Sequence, residues 1–359
     1  MFISALRWHR FSVAAISLWL LLNTSSVITT TQAQARAYVT NSCNDTISVI
    51  DTDTNTVVAT VPVGVNPLGV VITPDGTRVY VTNRGSNTVS VIDTATNTVI
   101  ATIPVGDSPF EVAIAPDGAR VYVGNQIGTV SVIDTQTNTV VDTIVVGSPL
   151  LGVAITPDGT RLYVTDNVGS TITVLDIATN AVVTTIPIRL FPVGVVFTPD
   201  GARAYVEESN ELLNVIDTAT NTVIIHAVTD IFYDHLAITP DGTRVYVTSP
   251  LFTKVVVLDT STNAVVDTIP LGFSPVFPAI TSDGTRVYTA NVDSTVSVID
   301  TASNTLVATI PDFACPRRIA ITPVPKNKDD CKDGGYKKFR GLAFPNQGQC
   351  VKYVNRHTN

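Results

Sequence analysis

Tyr80-Val81-Thr82-Asn83, followed after a short gap by Ser90-Val91-Ile92-Asp93-Thr94, is the stretch on which the fold of this chain turns. Arg78 to Asn83 alternates as one strand, Thr88 to Ile92 as a second, Val99 to Val105 as a third and Phe110 to Ala115 as a fourth. The same tyrosine returns as Tyr38, Tyr122, Tyr163, Tyr205, Tyr246 and Tyr288, at intervals of 41 or 42 residues. Short β-rich runs repeated at that period predict an all-β, seven-bladed β-propeller of four-stranded antiparallel blades.

The turns between these strands carry their own chemistry. Asp93-Thr94-Ala95-Thr96-Asn97 recurs in every unit; the Asp accepts turn N–H groups, and the Asn adopts the left-handed conformation at little cost. Pro116-Asp117-Gly118 recurs in six of the seven units, with Ser282 in place of Pro in one, while the seventh reads Pro323-Val324-Pro325. There Pro fixes φ and Gly takes the positive-φ position of a tight reversal.

The chain enters at a second strand, Ala37 to Asn41, and ends the repeats at a first strand, Arg317 to Thr322. The closing blade is therefore expected to be composite, its innermost strand C-terminal and its outer three N-terminal, which removes the open ends of a stacked repeat. Cys43 follows the second strand of that blade and Cys315 precedes its first, so the two are expected to form a disulfide across the seam. Of the three pairings open to four cysteines, this leaves Cys331 with Cys350.

Residues 1–35 read as an export leader, with Arg7 and Arg10 before an apolar run from Phe11 to Leu22 and Ala33-Gln34-Ala35 as the cleavage site. The organisation expected is a leader over 1–35, a propeller over 36–323 and a basic two-cysteine module over 324–359, with the mature protein periplasmic, secreted or at the cell surface. No segment is apolar for long enough to span a bilayer. Between Arg36 and Pro323 there are 12 Lys and Arg against 27 Asp and Glu, whereas Val324 to Asn359 carries 8 against 3. So acidic a body is a poor partner for nucleic acid.

The strings Tyr38-Val39-Thr40-Asn41, Tyr80-Val81-Thr82-Asn83 and Thr73-Pro74-Asp75-Gly76 resemble the YVTN family of β-propeller repeat proteins over residues 37–323. The resemblance implies a seven-bladed propeller of the kind found in surface-layer and exported proteins, distantly similar to propeller lactonases, and it brings no shared catalytic motif. Cys331-Lys332-Asp333-Gly334-Gly335-Tyr336 and Phe344 to Val351 resemble a short two-cysteine module at the C-termini of exported bacterial proteins, which implies a small disulfide-linked tail.

Function is sought where the units disagree. Aligned on the first strand, one position reads Gly69, Glu111, Gly152, Gly194, His235, Phe277 and Arg318, and the one before it includes Asp234 and Arg317. These side chains are expected to ring the channel mouth, with Glu111, Asp234, His235, Arg317 and Arg318 as ligand-binding groups. Structural ion pairs, Glu111 with Arg318 and Asp234 with Arg317, are the competing reading. The row Val70, Val112, Val153, Val195, Leu236, Pro278 and Ile319 is expected to pack between blades. The fifth unit departs further: Glu207, Glu208 and Glu211 are read as an acidic rim, with Phe232 and Tyr233 exposed beside it, to bind a cation or stack on a sugar.

No phosphate loop, His-Glu-x-x-His helix, nucleophile elbow or haem-attachment motif is present. The expectation is therefore a monomeric, non-enzymatic binding propeller with no catalytic residues, no metal and no cofactor, whose partner is an unknown ligand, protein or cell-surface glycan. Two alternatives stay open: a lactonase-like hydrolase or lyase using Glu111, His235 and Arg318 with a divalent metal, and a structural surface-layer component.

Overall fold

The repeat folds because its two middle strands are apolar on both faces and must be covered twice. In the second blade these are β5 (Arg78–Asn83) and β6 (Thr88–Asp93), lying between β4 (Pro67–Ile72) and β7 (Thr98–Pro104). Val79, Tyr80, Val81, Val89, Val91 and Ile92 are fully buried. Neighbouring blades supply the cover, which leaves β7, rich in Thr, Val and Ile, mostly exposed at the rim.

The computed structural model describes residues 35–147, 149–208, 212–228, 235–324 and 350. Among them, 28 strands, β1 to β28 in chain order, form seven four-stranded antiparallel sheets. The first blade is composite, in the order β28 (Pro316–Ile321), β1 (Arg36–Asn41), β2 (Thr46–Asp51), β3 (Thr56–Pro62). Tyr38 stands opposite Ala320 and Asn41 opposite Pro316. The remaining inner strands are β8 (Pro109–Ile114), β12 (Leu150–Ile155), β16 (Pro192–Phe197), β20 (Leu236–Ile238) and β24 (Pro275–Ile280). Each touches the next, and β28 touches both β24 and β4, so the ring is closed.

A Cys43–Cys315 disulfide, with Cα atoms 5.5 Å apart, clasps the seam across 272 residues of sequence. Beside it the amides of Ser42 and Cys43 donate to the carbonyls of Cys315 and Ala314, each at 3.2 Å. Cys331 and the rest of 325–349 lie outside the described residues, and so does the Cys331–Cys350 pairing.

The tyrosines tie blade to blade. Tyr80, buried in the second blade, donates its hydroxyl at 2.9 Å to Oδ1 of Asn138 in the third blade's outer turn. Tyr38 reaches Asn97 at 3.1 Å, and Tyr288 crosses the seam to Asn55 at 2.7 Å. Six of the seven tyrosines make this bond; the Tyr122 hydroxyl makes no hydrogen bond among the described residues. All seven receiving-turn asparagines are left-handed, with φ between 51° and 57°. Each is preceded by an Asp such as Asp93, whose Oδ1 accepts the amides of Ala95 and Thr96 at 3.0 and 2.9 Å.

Substitution of Pro by Ser282 has a structural reason. Elsewhere a turn glycine packs on the preceding blade's proline, as Gly118 (φ +73°) does on Pro74, where an added Cβ would stand 3.3 Å from Cδ. At the seam the chain leaves and no such glycine arrives. There Ser282 Oγ accepts the Val324 amide at 2.8 Å and donates to the Val324 carbonyl at 3.2 Å, so the departing strand is pinned.

Candidate functional site

The inner strands all begin at the same end of the disc, the end that carries the loops between blades and the turns between second and third strands. The seven units place Gly69, Glu111, Gly152, Gly194, His235, Phe277 and Arg318 in one ring there. Three of these have no side chain; at Gly69 and Gly152 an added Cβ would meet the next blade's backbone, 2.7 Å from the Phe110 carbonyl oxygen and 2.2 Å from that of Val193. A cavity of about 190 Å³ on the axis is lined by Glu111, Gly152, Gly194, His235, Phe277 and Arg318. Its walls are Val70, Val153, Val195, Leu236, Pro278 and Ile319. That row was expected to pack between blades; Val70 does so, in one cluster with Tyr38, Ile47 and Val49 of the first blade, and lines the axis as well.

The polar side chains form a connected arc across the blades. Arg318, from the composite blade, makes an ion pair with Glu111 of the third blade. The flat guanidinium lies 3.8 Å from the centre of the Phe277 ring and 5.9 Å from that of Phe110. Planar and weakly hydrated, it suits such a face. Phe277 in turn meets the His235 ring, with centroids 3.9 Å apart. His235 Nδ1 stands 3.8 Å from Oε1 of Glu207, beyond hydrogen-bonding distance. The arc thus runs Glu111, Arg318, Phe277, His235, Glu207, and its open side is the floor made by Gly152 and Gly194.

Burial pushes the Glu111 carboxyl up from its ordinary value, while the Arg318 charge beside it opposes that push. Neither group is free to wander, since their side chains are 18% and 13% exposed. Arg317, one residue earlier, points elsewhere: it is exposed, and its Nε donates to Ser42 Oγ at 3.4 Å beside the disulfide. Successive strand residues face opposite sides, so Arg317 and Arg318 part company. Asp234, Phe232, Tyr233 and Glu211 lie outside the described residues.

The acidic rim is corrected. Glu207 and Glu208 are 1% and 0% exposed, and neither forms a solvated edge. Glu208 lies in β17 (Arg203–Glu208), where four other blades carry an asparagine such as Asn83, whose Nδ2 donates to Ser90 at 2.9 Å. In the fifth blade both partners change: Asn214 of β18 (Leu212–Asp217) donates its Nδ2 to Glu208 Oε1 at 2.6 Å. Asn214 Oδ1 then meets His226 Nδ1 of the outer strand at 2.5 Å. Donor and acceptor have exchanged places, and Glu208 Oε1 also accepts the Arg189 amide at 3.2 Å. Glu207 occupies the position of Thr82, which accepts the Gly69 amide at 2.7 Å and donates to the next blade's Phe110 carbonyl at 3.0 Å. A carboxylate at that position stands beside the His235 ring of the next blade.

Among the described residues no group of three or more His, Cys, Asp or Glu side chains is arranged to hold a metal ion. Glu111, His235 and Arg318 do share one cavity. Phe277, whose ring separates and orients His235 and Arg318, was missed as a site residue; its signal was an aromatic where other units have glycine.

Residues 23–119 match the family model of YNCE-like β-propellers, and the repeat continues through all seven blades. A repeat propeller of the YVTN type is consistent with that match and with the seven blades. No curated protein matches it in sequence. Among solved structures the propeller is similar to Kuenenia stuttgartiensis hydrazine synthase, with a TM-score of 0.68 and 27% identity over 74% of this chain and 92% of that one. A protein of unknown function from Desulfotomaculum acetoxidans superposes with a TM-score of 0.72 at 20% identity, covering 80% of this chain and 98% of that one. Dihydro-heme d1 dehydrogenase NirN, in complex with DHE, gives 0.62 at 17% identity, covering 86% of this chain and 76% of that one. The last two likenesses concern the fold alone.

Proposed function

We propose that this propeller is an exported binding protein that takes a small polar ligand into the axial cavity at the mouth of its channel. One observation carries the reading: side chains from four different blades converge on a single cavity while two glycines on the facing blades leave it open. At roughly 30 Å³ per water in the liquid, the cavity holds about six waters, which suits a small charged or hydrogen-bonding solute and not a chain of sugars. Glu111, Arg318 and His235 supply the polar contacts, and Phe277 and Phe110 hold the guanidinium so that little is lost in ordering it on binding. The leader expected over 1–35 and the Cys43–Cys315 bridge support export to an oxidising compartment. Solved relatives include enzymes, but nothing in the arrangement of Glu111, His235 and Arg318 favours catalysis over binding.

The test is a thermal-shift panel of small amines, carboxylates, amino acids and monosaccharides on the wild-type protein and on a Glu111→Gln/Arg318→Met double variant. Removing both charges together avoids leaving one buried and unpaired. A solute that stabilises the wild type and not the variant supports the site. Solutes that stabilise both equally place binding elsewhere.

A further inference from the structure

A cavity of about 610 Å³ lies at the end of the disc away from the channel mouth, between the seventh blade and the composite first blade. The corresponding groove between the third and fourth blades is about 390 Å³. The wider groove goes with a contact that the seam lacks. Gly159 (φ +72°) of the fourth blade packs on Pro116, as Gly118 does on Pro74 and Gly284 on Pro240. At the seam Ser282 stands where the proline would be, and the glycine position of the repeat is Pro325.

The groove is acidic. Asp53, Asp283 and Asp300 line it against one guanidinium, Arg286, which is already ion-paired with Asp300. Asp283 accepts its bonds from Thr281 and Thr285 at Oδ1 alone, which leaves its second oxygen without a hydrogen bond among the described residues. Burial pushes the hydroxyl of Tyr288, in the groove wall, well above its ordinary value; Arg286 pulls it down, and Asp53, Asp51 and Asp283 push it further up.

The chain itself leads a basic segment into this place. Val324 lines the groove, is 5% exposed, and is fixed there by its two bonds to Ser282. The next residues are Pro325-Lys326-Asn327-Lys328, the start of a tail with 8 Lys and Arg against 3 Asp and Glu. At about 3.3 to 3.6 Å per residue, the backbone of Lys326 can stand no more than about 7 Å from Val324 and that of Lys328 no more than about 14 Å. Two ammonium groups are thus tethered beside the groove's carboxylates at high effective concentration. Further along, Cys350 is fully buried, as a residue of a tail extended in solvent is not.

We propose that the seam groove is the seat of the chain's own basic tail, with Lys326 and Lys328 against Asp53 and Asp283. The composite blade is then held covalently at the mouth end and electrostatically at the other. Nothing in this depends on the axial ligand site.

Trypsin cleavage of the full-length protein after Lys326 and Lys328, followed by mass spectrometry and scaled to cleavage after Lys352, tests it. Asp53→Asn/Asp283→Asn removes the charges and keeps an oxygen acceptor in each turn. The expected result is scaled cleavage at the two sites at least threefold faster in that variant than in the wild type. Sodium chloride at about 1 M, where the Debye length is about 3 Å, has the same effect on the wild type and decides the matter should the variant not fold. Equal scaled rates in the wild type and the folded variant overturn the proposal in favour of a solvated tail or one held elsewhere. So does a wild-type rate that salt leaves unchanged. Protection that weakens as the protein is diluted overturns it in favour of the tail of a second copy.

Discussion

Replacing both Cys43 and Cys315 by serine opens the covalent clasp while leaving the strands it joins intact. The bridge spans 272 residues of sequence, and a loop of that length restricts the unfolded chain by about 5 to 6 kcal/mol on the chain-entropy account. At about 2 °C per kcal/mol for a domain of this size, the melting temperature should fall by about 10 °C. The native state has little to lose besides, because the β1–β28 ladder and the Ser42 and Cys43 amide bonds remain. Calorimetry of the wild type, the wild type with reductant and the double variant gives the equilibrium effect. Native-state hydrogen exchange locates it, with β1 and β28 becoming the first strands to open. A fall of less than about 1 kcal/mol, or exchange that opens first in a blade far from the seam, would refute the reasoning that one composite blade closes the ring.

Other expectations follow from particular contacts. Tyr80→Phe should cost about 1 kcal/mol through loss of the bond to Asn138, whereas Tyr122→Phe, whose hydroxyl makes no hydrogen bond among the described residues, should cost close to nothing, both read by urea denaturation. Asn214→Ser alone strips Glu208 of its side-chain donor, leaving it only the Arg189 amide, and should destabilise by about 1 to 3 kcal/mol, while Glu208→Asn with Asn214→Ser restores the arrangement seen in the second blade and should recover most of it. Burial pushes the Tyr38, Tyr163 and Tyr246 hydroxyls up to about 12 from their ordinary value near 10. A raised value in the folded state means that stability is whole below pH 10 and declines as pH climbs from there toward 12. Ultraviolet titration should therefore show these tyrosines ionising only as the fold is lost, and a transition complete by pH 10 would contradict the burial.

Blade number, composite closure and the clasp were legible in the sequence because each is written seven times, or breaks a pattern written seven times. Cys43 and Cys315 flank strands whose register follows from that count. The site was legible only in part. Glu111 and Arg318 stand at the same repeat position on blades separated by a glycine blade, so their pairing could be anticipated. Glu207 and Glu208 could not be placed, since two acidic letters near a turn read as solvent-facing until the exchange between Glu208 and Asn214 across β17 and β18 is seen. Phe277 stood in the channel-mouth row but was not named as a binding group; its ring contacts both the Arg318 guanidinium and the His235 imidazole. Arg317 was read with Arg318, although strand alternation sends them to opposite sides.

The axial cavity is tested most directly at Gly194. A methyl group there would stand 3.1 Å from Glu207 Oε1 and 3.6 Å from His235 Cδ2, near the ends of side chains and away from backbone, so the fold should tolerate it while the cavity floor rises. Isothermal titration of the best solute from the thermal-shift panel into wild type and Gly194→Ala should show at least a tenfold loss of affinity, with the melting temperature of the free protein nearly unchanged. Equal affinity in the two proteins would contradict binding on the axis.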